Sequence, residues 1–333
     1  MFDPVMVHIS IIVFLALCFD FINGFHDTAN TIATSISTKA LPPRVAILFS
    51  ALMNLLGALT FTGVAQTIGG QIADPLVLDN GITIVGAALI AAISWNLITW
   101  YFGIPSSSSH ALIGSLTGAV ITAEGFLAVN YAGFITILEA LIFSPLIAFA
   151  IGYIIMNLIR IIFKNSNPGK VNRNFRVLQI FTAAWQAFSH GTNDAQKSMG
   201  IITFALVAGS FQPTLDVPNW VKFSCALAMA LGTSVGGWRI IKTIGTRIIK
   251  LEPASGFAAD VSSATIIILA TLFRLPVSTT HVISSSIMGV GSARRFSSVR
   301  WSTAQQMLVA WVITLPITAA FASVTYLLIS IFF

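Results

Sequence analysis

Apolar runs long enough to cross a bilayer recur from one end of this sequence to the other, and no other feature limits its fold as strongly. A hydrocarbon core of roughly 30 Å takes about 20 apolar residues in a helix. Dividing the chain at Gly, Pro and charge gives stretches at 5–37, 45–67, 82–103, 107–123 and 131–162, then at 177–211, 221–249, 257–274, 277–292 and 303–332. Charged residues make up 8% of the 333, against about 25% in an ordinary soluble domain. They are too few to cover a wet surface. The expected fold class is an all-α polytopic membrane protein with the lipid bilayer as its solvent. The start, Met1-Phe2-Asp3-Pro4, has no basic segment before the first apolar run. That run is therefore expected to stay as a span rather than be cleaved as a leader. Cys18 and Cys225 lie inside apolar stretches and read as small packing residues, not as a disulfide framework.

The basic residues set an orientation. With the N-terminus outside and each stretch crossing once, fourteen Lys and Arg fall on the cytoplasmic side, from Lys39 and Arg44 to Arg295 and Arg300. Only Lys222 and Arg274 fall outside, and Lys197 is left at membrane depth. This is a positive-inside pattern. The net charge of +6 is thus a topology signal, and nucleic acid is not an expected partner. The expected organisation is a first repeat at 1–163, a cytoplasmic linker at 164–176 and a second repeat at 177–333. The location is a cell membrane, multi-pass, with both termini outside and the central loop cytoplasmic.

Two motifs occur twice. Gly24-Phe25-His26-Asp27-Thr28-Ala29-Asn30 matches Gly191-Thr192-Asn193-Asp194-Ala195-Gln196-Lys197 at an offset of 167 residues. Pro105 followed by Ser106 to Ser109 and His110 matches Pro276-Val277-Ser278-Thr279-Thr280-His281 at an offset of 171, and Pro145 and Pro316 share that offset. Five stretches per copy is an odd number, so the two copies would enter the membrane from opposite sides. Inverted repeats of this kind build secondary transporters, whose substrate sits near the midplane between discontinuous helices.

The repeated residues are polar, which packing alone does not require. An ionised carboxylate at membrane depth costs several kcal/mol unless paired, so Asp27 and Asp194 read as a site for a coupling cation or proton. Asn30 and Asn193 add amide oxygens suited to a hard cation, and Asn30 lies one helical turn from Asp27. Ser107, Ser108 and Ser109, with Ser278, Thr279 and Thr280, each follow a proline and precede an apolar run, which is the signature of a helix N-terminus. Such an end carries free N–H groups and a partial positive charge that favour an anion. The stretches 107–123 and 277–292 are short for crossing and read as half-helices or re-entrant hairpins lining a cavity. His26, His110, His281 and Lys197 stand beside these motifs, as auxiliary site residues or as packing.

In these motifs the chain resembles the inorganic phosphate transporter (PiT) family, and the resemblance runs over essentially the whole length. It implies that Asp27 and Asp194 are the signature aspartates and that the hydroxyl segments are hairpin tips holding phosphate. It also implies symport with Na⁺ or H⁺ and, in many members, a homodimer. No organic cofactor is expected; if the coupling ion is Na⁺, Asp27 and Asp194 are its expected ligands. The sequence departs from the family pattern at His26, where Asn is usual, at Lys197, where Asn is frequent, and at Asn54, where eukaryotic relatives carry Glu. A permease for sulfate or another oxyanion, or a passive anion channel, would use the same elements. An enzyme is not expected. Gly232-Thr233-Ser234-Val235-Gly236 fits a hydrolase pattern in letters only, because it lies in an apolar helix and not at a strand-to-helix turn.

Overall fold

A computed structural model describes residues 4–331. Met1, Phe2 and Asp3 of the leader argument, and Phe332 at the end of the stretch 303–332, lie outside the described residues. Twelve α-helices run through the described chain: α1 Pro4–Ser37, α2 Pro43–Ala58, α3 Gly63–Gln71, α4 Gly81–Phe102, α5 Ser108–Glu124 and α6 Tyr131–Ile162 come first. They are followed by α7 Pro168–Ala208, α8 Asn219–Val235, α9 Trp238–Lys242, α10 Pro253–Leu272, α11 Thr279–Arg294 and α12 Trp301–Ile329. Among the described residues there is no strand.

Among the described residues five helices (α1, α4, α6, α10 and α12) are long and apolar enough to cross a membrane, or up to seven spans if each of two bent pairs counts as one. The expected count of ten plain stretches is corrected accordingly. The stretch 45–67 breaks between α2 and α3 with a bend of 70°, and 221–249 breaks between α8 and α9 with a bend of 63°. Gly236, at φ +77°, supplies a left-handed conformation at the second break that a side chain would resist. The stretch 177–211 forms the inner part of the 41-residue α7. That helix starts within the supposed linker, because Asn167 caps its first turn by accepting from Gly169 N at 2.9 Å and Pro168 suits the position after the cap. Only the residues between Ile162 and Pro168 connect the halves without helix.

The same element order appears twice. Long α1 and α7 are each followed by a bent pair, a span (α4, α10), a short helix (α5, α11), a 3₁₀ turn (Phe126–Ala128, Phe296–Ser298) and a proline-bearing long helix (α6, α12). Backbone detail repeats with it. Lys39 and Ser210, at φ 59° and 60°, and Gly103 and Arg274, at 65° and 60°, all lie in the left-handed region at matching helix ends. The drift of the motif offset from 167 to 171 has a simple origin. Eleven residues separate Lys197 from the end of α7 at Ala208 and seven separate Asn30 from the end of α1 at Ser37, one extra helical turn.

Packing joins the halves by exchange. Helix α1 lies on α8 and α2 on α7, while α5 lies on α12 and α11 on α6. The crossings are close because glycine occupies them. A Cβ added at Gly24 would lie 2.3 Å from Met229 O and one at Gly191 would lie 2.2 Å from Asn54 O. At Gly57 it would lie 2.1 Å from Phe188 O, and at Gly232, 2.0 Å from Phe21 O. Small residues that let backbones touch are the usual means of association where water supplies no driving force between helices. One apolar core takes residues from α4 and α5 together with α7, α8 and α12, so it too is built from both halves. Large apolar side chains cover the outside: Ile142, Phe143 and Leu146 on α6 and Leu308, Val312 and Leu327 on α12 are all exposed, as a lipid-facing surface requires.

Candidate functional site

Polar residues are concentrated in the interior, the reverse of a soluble protein. On α1, Asn23, His26, Asp27 and Asn30 fall on one face by helical spacing, and all are buried. On α7 the corresponding positions are His190, Asn193, Asp194 and Lys197, also buried. The starts of α5 and α11 come to the same place. Ser107 caps α5 by accepting from His110 N at 3.1 Å, and Ser278 caps α11 by accepting from His281 N at 3.3 Å. Both hydroxyl runs thus form helix N-termini, and they meet: Ser109 Oγ donates to Val277 O at 2.8 Å, and the His110 and His281 rings lie 4.6 Å apart.

The carboxylates face this junction. Asp27 accepts from Ser108 Oγ at 3.3 Å and from Thr280 Oγ1 at 3.4 Å, one hydroxyl from each half. Its Oδ1 also lies 2.6 Å from His26 Nδ1, whose ring reaches Thr99 Oγ1 at 3.1 Å on the far side. Asp194 accepts from Thr279 Oγ1 at 3.4 Å and from Asn23 Nδ2 at 3.3 Å, and pairs with Lys197 Nζ at 2.8 Å. His190 Nε2 stands 3.4 Å from the same carboxylate. Ligand-capable atoms of Asp27, His190 and Asp194 all lie within 4.8 Å of one another, so that among the described residues these three could together hold a cation. Asn30 Nδ2 donates to Thr280 Oγ1 at 2.9 Å and Thr279 Oγ1 at 3.3 Å, while its Oδ1 is buried with no hydrogen-bond partner.

Most of the residues singled out in the sequence are therefore brought together: Asp27, Asp194, Asn30, Lys197, His26, Ser108, Thr279 and Thr280. Others are occupied elsewhere. Asn193 braces the turn before α11, donating to Thr271 Oγ1 at 3.1 Å and Leu275 O at 3.2 Å and accepting from Val277 N at 3.3 Å. Its oxygen is engaged by backbone, unlike that of Asn30. His281 stacks on Trp311 at 3.9 Å and His110 Nδ1 lies 2.8 Å from the capping Ser107, so both rings pack at the helix starts. Ser234, in the hydrolase-like pattern, is exposed and donates to Leu231 O at 2.6 Å. Ser107 and His110 do form a serine–imidazole pair, yet a triad needs a third group to orient the imidazole, and His110 faces His281 instead.

Sequence reasoning missed Asn23 and His190, although both carried a signal: they occupy equivalent positions at the offset of 167, and His190 is one turn from Asp194. It also missed Asp260, buried in α10, which accepts from Thr34 Oγ1 at 2.6 Å, Thr182 Oγ1 at 3.3 Å and Gln179 Nε2 at 3.5 Å. A lone carboxylate inside the apolar stretch 257–274 was its visible mark. Asp20, buried two turns before Asp27 on α1, accepts from Ser198 Oγ at 2.7 Å.

An all-helical chain of long apolar spans, with helix ends and paired carboxylates at its buried centre, belongs among polytopic membrane proteins that handle small ions. Comparison with known proteins makes this specific. The model of the phosphate transporter family matches residues 23–322, and the chain belongs to that family. A protein of Bacillus subtilis (strain 168) named "Probable low-affinity inorganic phosphate transporter" is 58% identical over 332 residues, covering 99% of this chain and 100% of that one. One with the same name from Rhizobium meliloti (strain 1021) is 45% identical, covering 94% of this chain and 93% of its own. A solved structure described as "The sodium-dependent phosphate transporter" superposes with a TM-score of 0.86 at 25% identity, covering 98% of this chain and all of that chain. These relatives are named as transporters, and an enzymatic role is set aside.

Proposed function

We propose that the protein imports inorganic phosphate by symport with a coupling cation, Na⁺ or H⁺, through a site shared by two oppositely inserted repeats. The observation that carries this reading is the single buried cluster in which Asp27 and Asp194, one from each half, receive hydroxyl donors from both helix starts. Inversion is supported by the exchange packing of two halves that repeat one element order. The basic residues Arg160, Lys164, Lys170, Arg173 and Arg176 support a cytoplasmic connection between α6 and α7.

The arrangement suggests how cation and anion are linked. Ser108, Thr279 and Thr280 spend their hydroxyl protons on the two carboxylates. Two negative carboxylates and a phosphate repel one another at close range in a low-dielectric interior. A cation bound at Asp27, together with the Lys197 ammonium already paired with Asp194, offsets that repulsion. The hydroxyls, and the backbone N–H groups of the α5 and α11 first turns, are then free to turn to a tetrahedral oxyanion. Neutral donors hold such an anion without the tight grip of an arginine cluster, which suits a substrate that must leave. Cation binding thus precedes and enables anion binding.

Uptake of labelled phosphate into proteoliposomes, under separately imposed Na⁺ and pH gradients, tests this. Concentrative uptake driven by one of the two gradients is the expected result. Uptake that only equilibrates phosphate would mark a channel, and stronger competition by sulfate than by unlabelled phosphate would mark a different oxyanion permease.

A further inference from the structure

The two halves of the site are alike in position but not in charge. Asn30 on α1 and Lys197 on α7 are equivalent residues, each three beyond its aspartate. They also make equivalent contacts: Asn30 Nδ2 donates to Thr279 Oγ1 at 3.3 Å, and Lys197 Nζ donates to Ser108 Oγ at 3.2 Å, the matching residue of the other hydroxyl run. What differs is the rest of the head group. Asn30 keeps an oxygen that is buried and accepts no hydrogen bond, close to Asp27 in the helical register. Lys197, fully buried, puts an ammonium 2.8 Å from Asp194.

An unpartnered buried amide oxygen beside a carboxylate is an incomplete cation shell. An ammonium at the equivalent place is itself the cation. Removing either partner of a close buried Lys–Asp pair leaves the other strongly penalised. Lys197 therefore gives Asp194 a resident cationic neighbour at 2.8 Å, whereas Asp27 and Asn30 have no such group and depend on an ion from solution. We infer that Lys197 is a tethered counter-ion occupying the place of one coupling cation, so that phosphate binding here requires one cation from solution, taken on the Asp27–Asn30 side. This rests on the symport reading above and adds to it the asymmetry of the site.

The test is the dependence of phosphate affinity on cation activity in the purified full-length protein in detergent. Labelled phosphate is the probe, with NaCl varied against choline chloride at fixed pH, and pH varied at fixed Na⁺. By mass-action linkage, each required cation raises apparent phosphate affinity about tenfold for a tenfold rise in its activity, below saturation. The wild type is expected to give about tenfold for the coupling ion. Lys197→Asn, or Lys197→Gln if the shorter side chain does not fold, restores an amide oxygen and should give about a hundredfold for Na⁺. A hundredfold response in the wild type overturns the inference without any variant. A tenfold response in both wild type and variant overturns it while leaving symport intact. A wild type indifferent to both Na⁺ and pH overturns the symport reading and this inference with it.

Discussion

Substituting Gly232 by Ala is the sharpest test of the crossing that holds the two halves together. The added Cβ would sit 2.0 Å from Phe21 O, 2.8 Å from Phe21 C and 3.0 Å from Phe21 Cα. All three are backbone atoms, which no rotamer change can move. Ordinary contact begins near 3.4 Å, so α1 and α8 must part by the difference from 2.0 Å, about 1.4 Å, and overpacking of this kind costs about 1–3 kcal/mol. The consequence reaches the site, because α1 carries Asp27 and Asn23 two turns or less from Phe21. The Ser108, Thr280 and Asn23 contacts to the carboxylates are already 3.3 to 3.4 Å long. Half an ångström more takes them beyond hydrogen-bond range. A bond to a charged group contributes about 1.5–3 kcal/mol, so losing one lowers phosphate uptake at limiting substrate about tenfold or more. Thermal unfolding in detergent and initial uptake rates in proteoliposomes would be measured together. The mirror variant Gly57→Ala meets Phe188 O at 2.1 Å and should behave alike, whereas Gly86→Ala meets only the tip of Ile12 at 3.2 Å and should not. Wild-type melting and uptake in Gly232→Ala would refute the packing argument.

Three further outcomes are expected. Asp27→Asn and Asp194→Asn should each abolish gradient-driven uptake; Asp194→Asn should also lower stability by about 3–5 kcal/mol because it leaves the buried Lys197 ammonium unpaired, and retained coupling in both would remove the carboxylates from the mechanism. Ser107→Ala should lower stability by about 1 kcal/mol through loss of the α5 cap, whereas Thr280→Val should weaken phosphate binding about tenfold with little change in melting. Reversed effects would exchange the roles of the two hydroxyls. Asp260→Leu should destabilise by about 2 kcal/mol or more, since Thr34, Gln179 and Thr182 lose their acceptor in the interior; unchanged unfolding would show that this cluster is not a structural one.

How much of this was readable beforehand depended on the kind of signal. Asp27, Asp194 and the hydroxyl runs were legible because a polar residue in an apolar stretch is conspicuous and each occurred twice. The capping roles of Ser107 and Ser278 were legible from their place between proline and an apolar run. The bends were not, since hydropathy averages over Gly236 and over the break after Ala58 without recording direction. Asn167-Pro168 was a readable cap, but the basic residues after it suggested a linker, and α7 in fact begins there. His190 escaped because in isolation a histidine before a glycine resembles any packed histidine. Its meaning comes from Asp194 one turn away and Asn23 in the other copy. The unequal use of Asn30 and Asn193 could not be read at all, because it depends on Val277 N and Leu275 O approaching only one of them.

The exchange of partners between halves also shapes how such a protein is made. When the ribosome has released the first 163 residues, α1 faces the translocon without α8, and α5 without α12. Asp27 and Ser108 then have no Thr280 or Lys197 to answer them, and lipid offers no substitute. Residues 1–163 expressed alone should therefore be degraded as an orphan, and be rescued when 164–333 is supplied as a separate polypeptide.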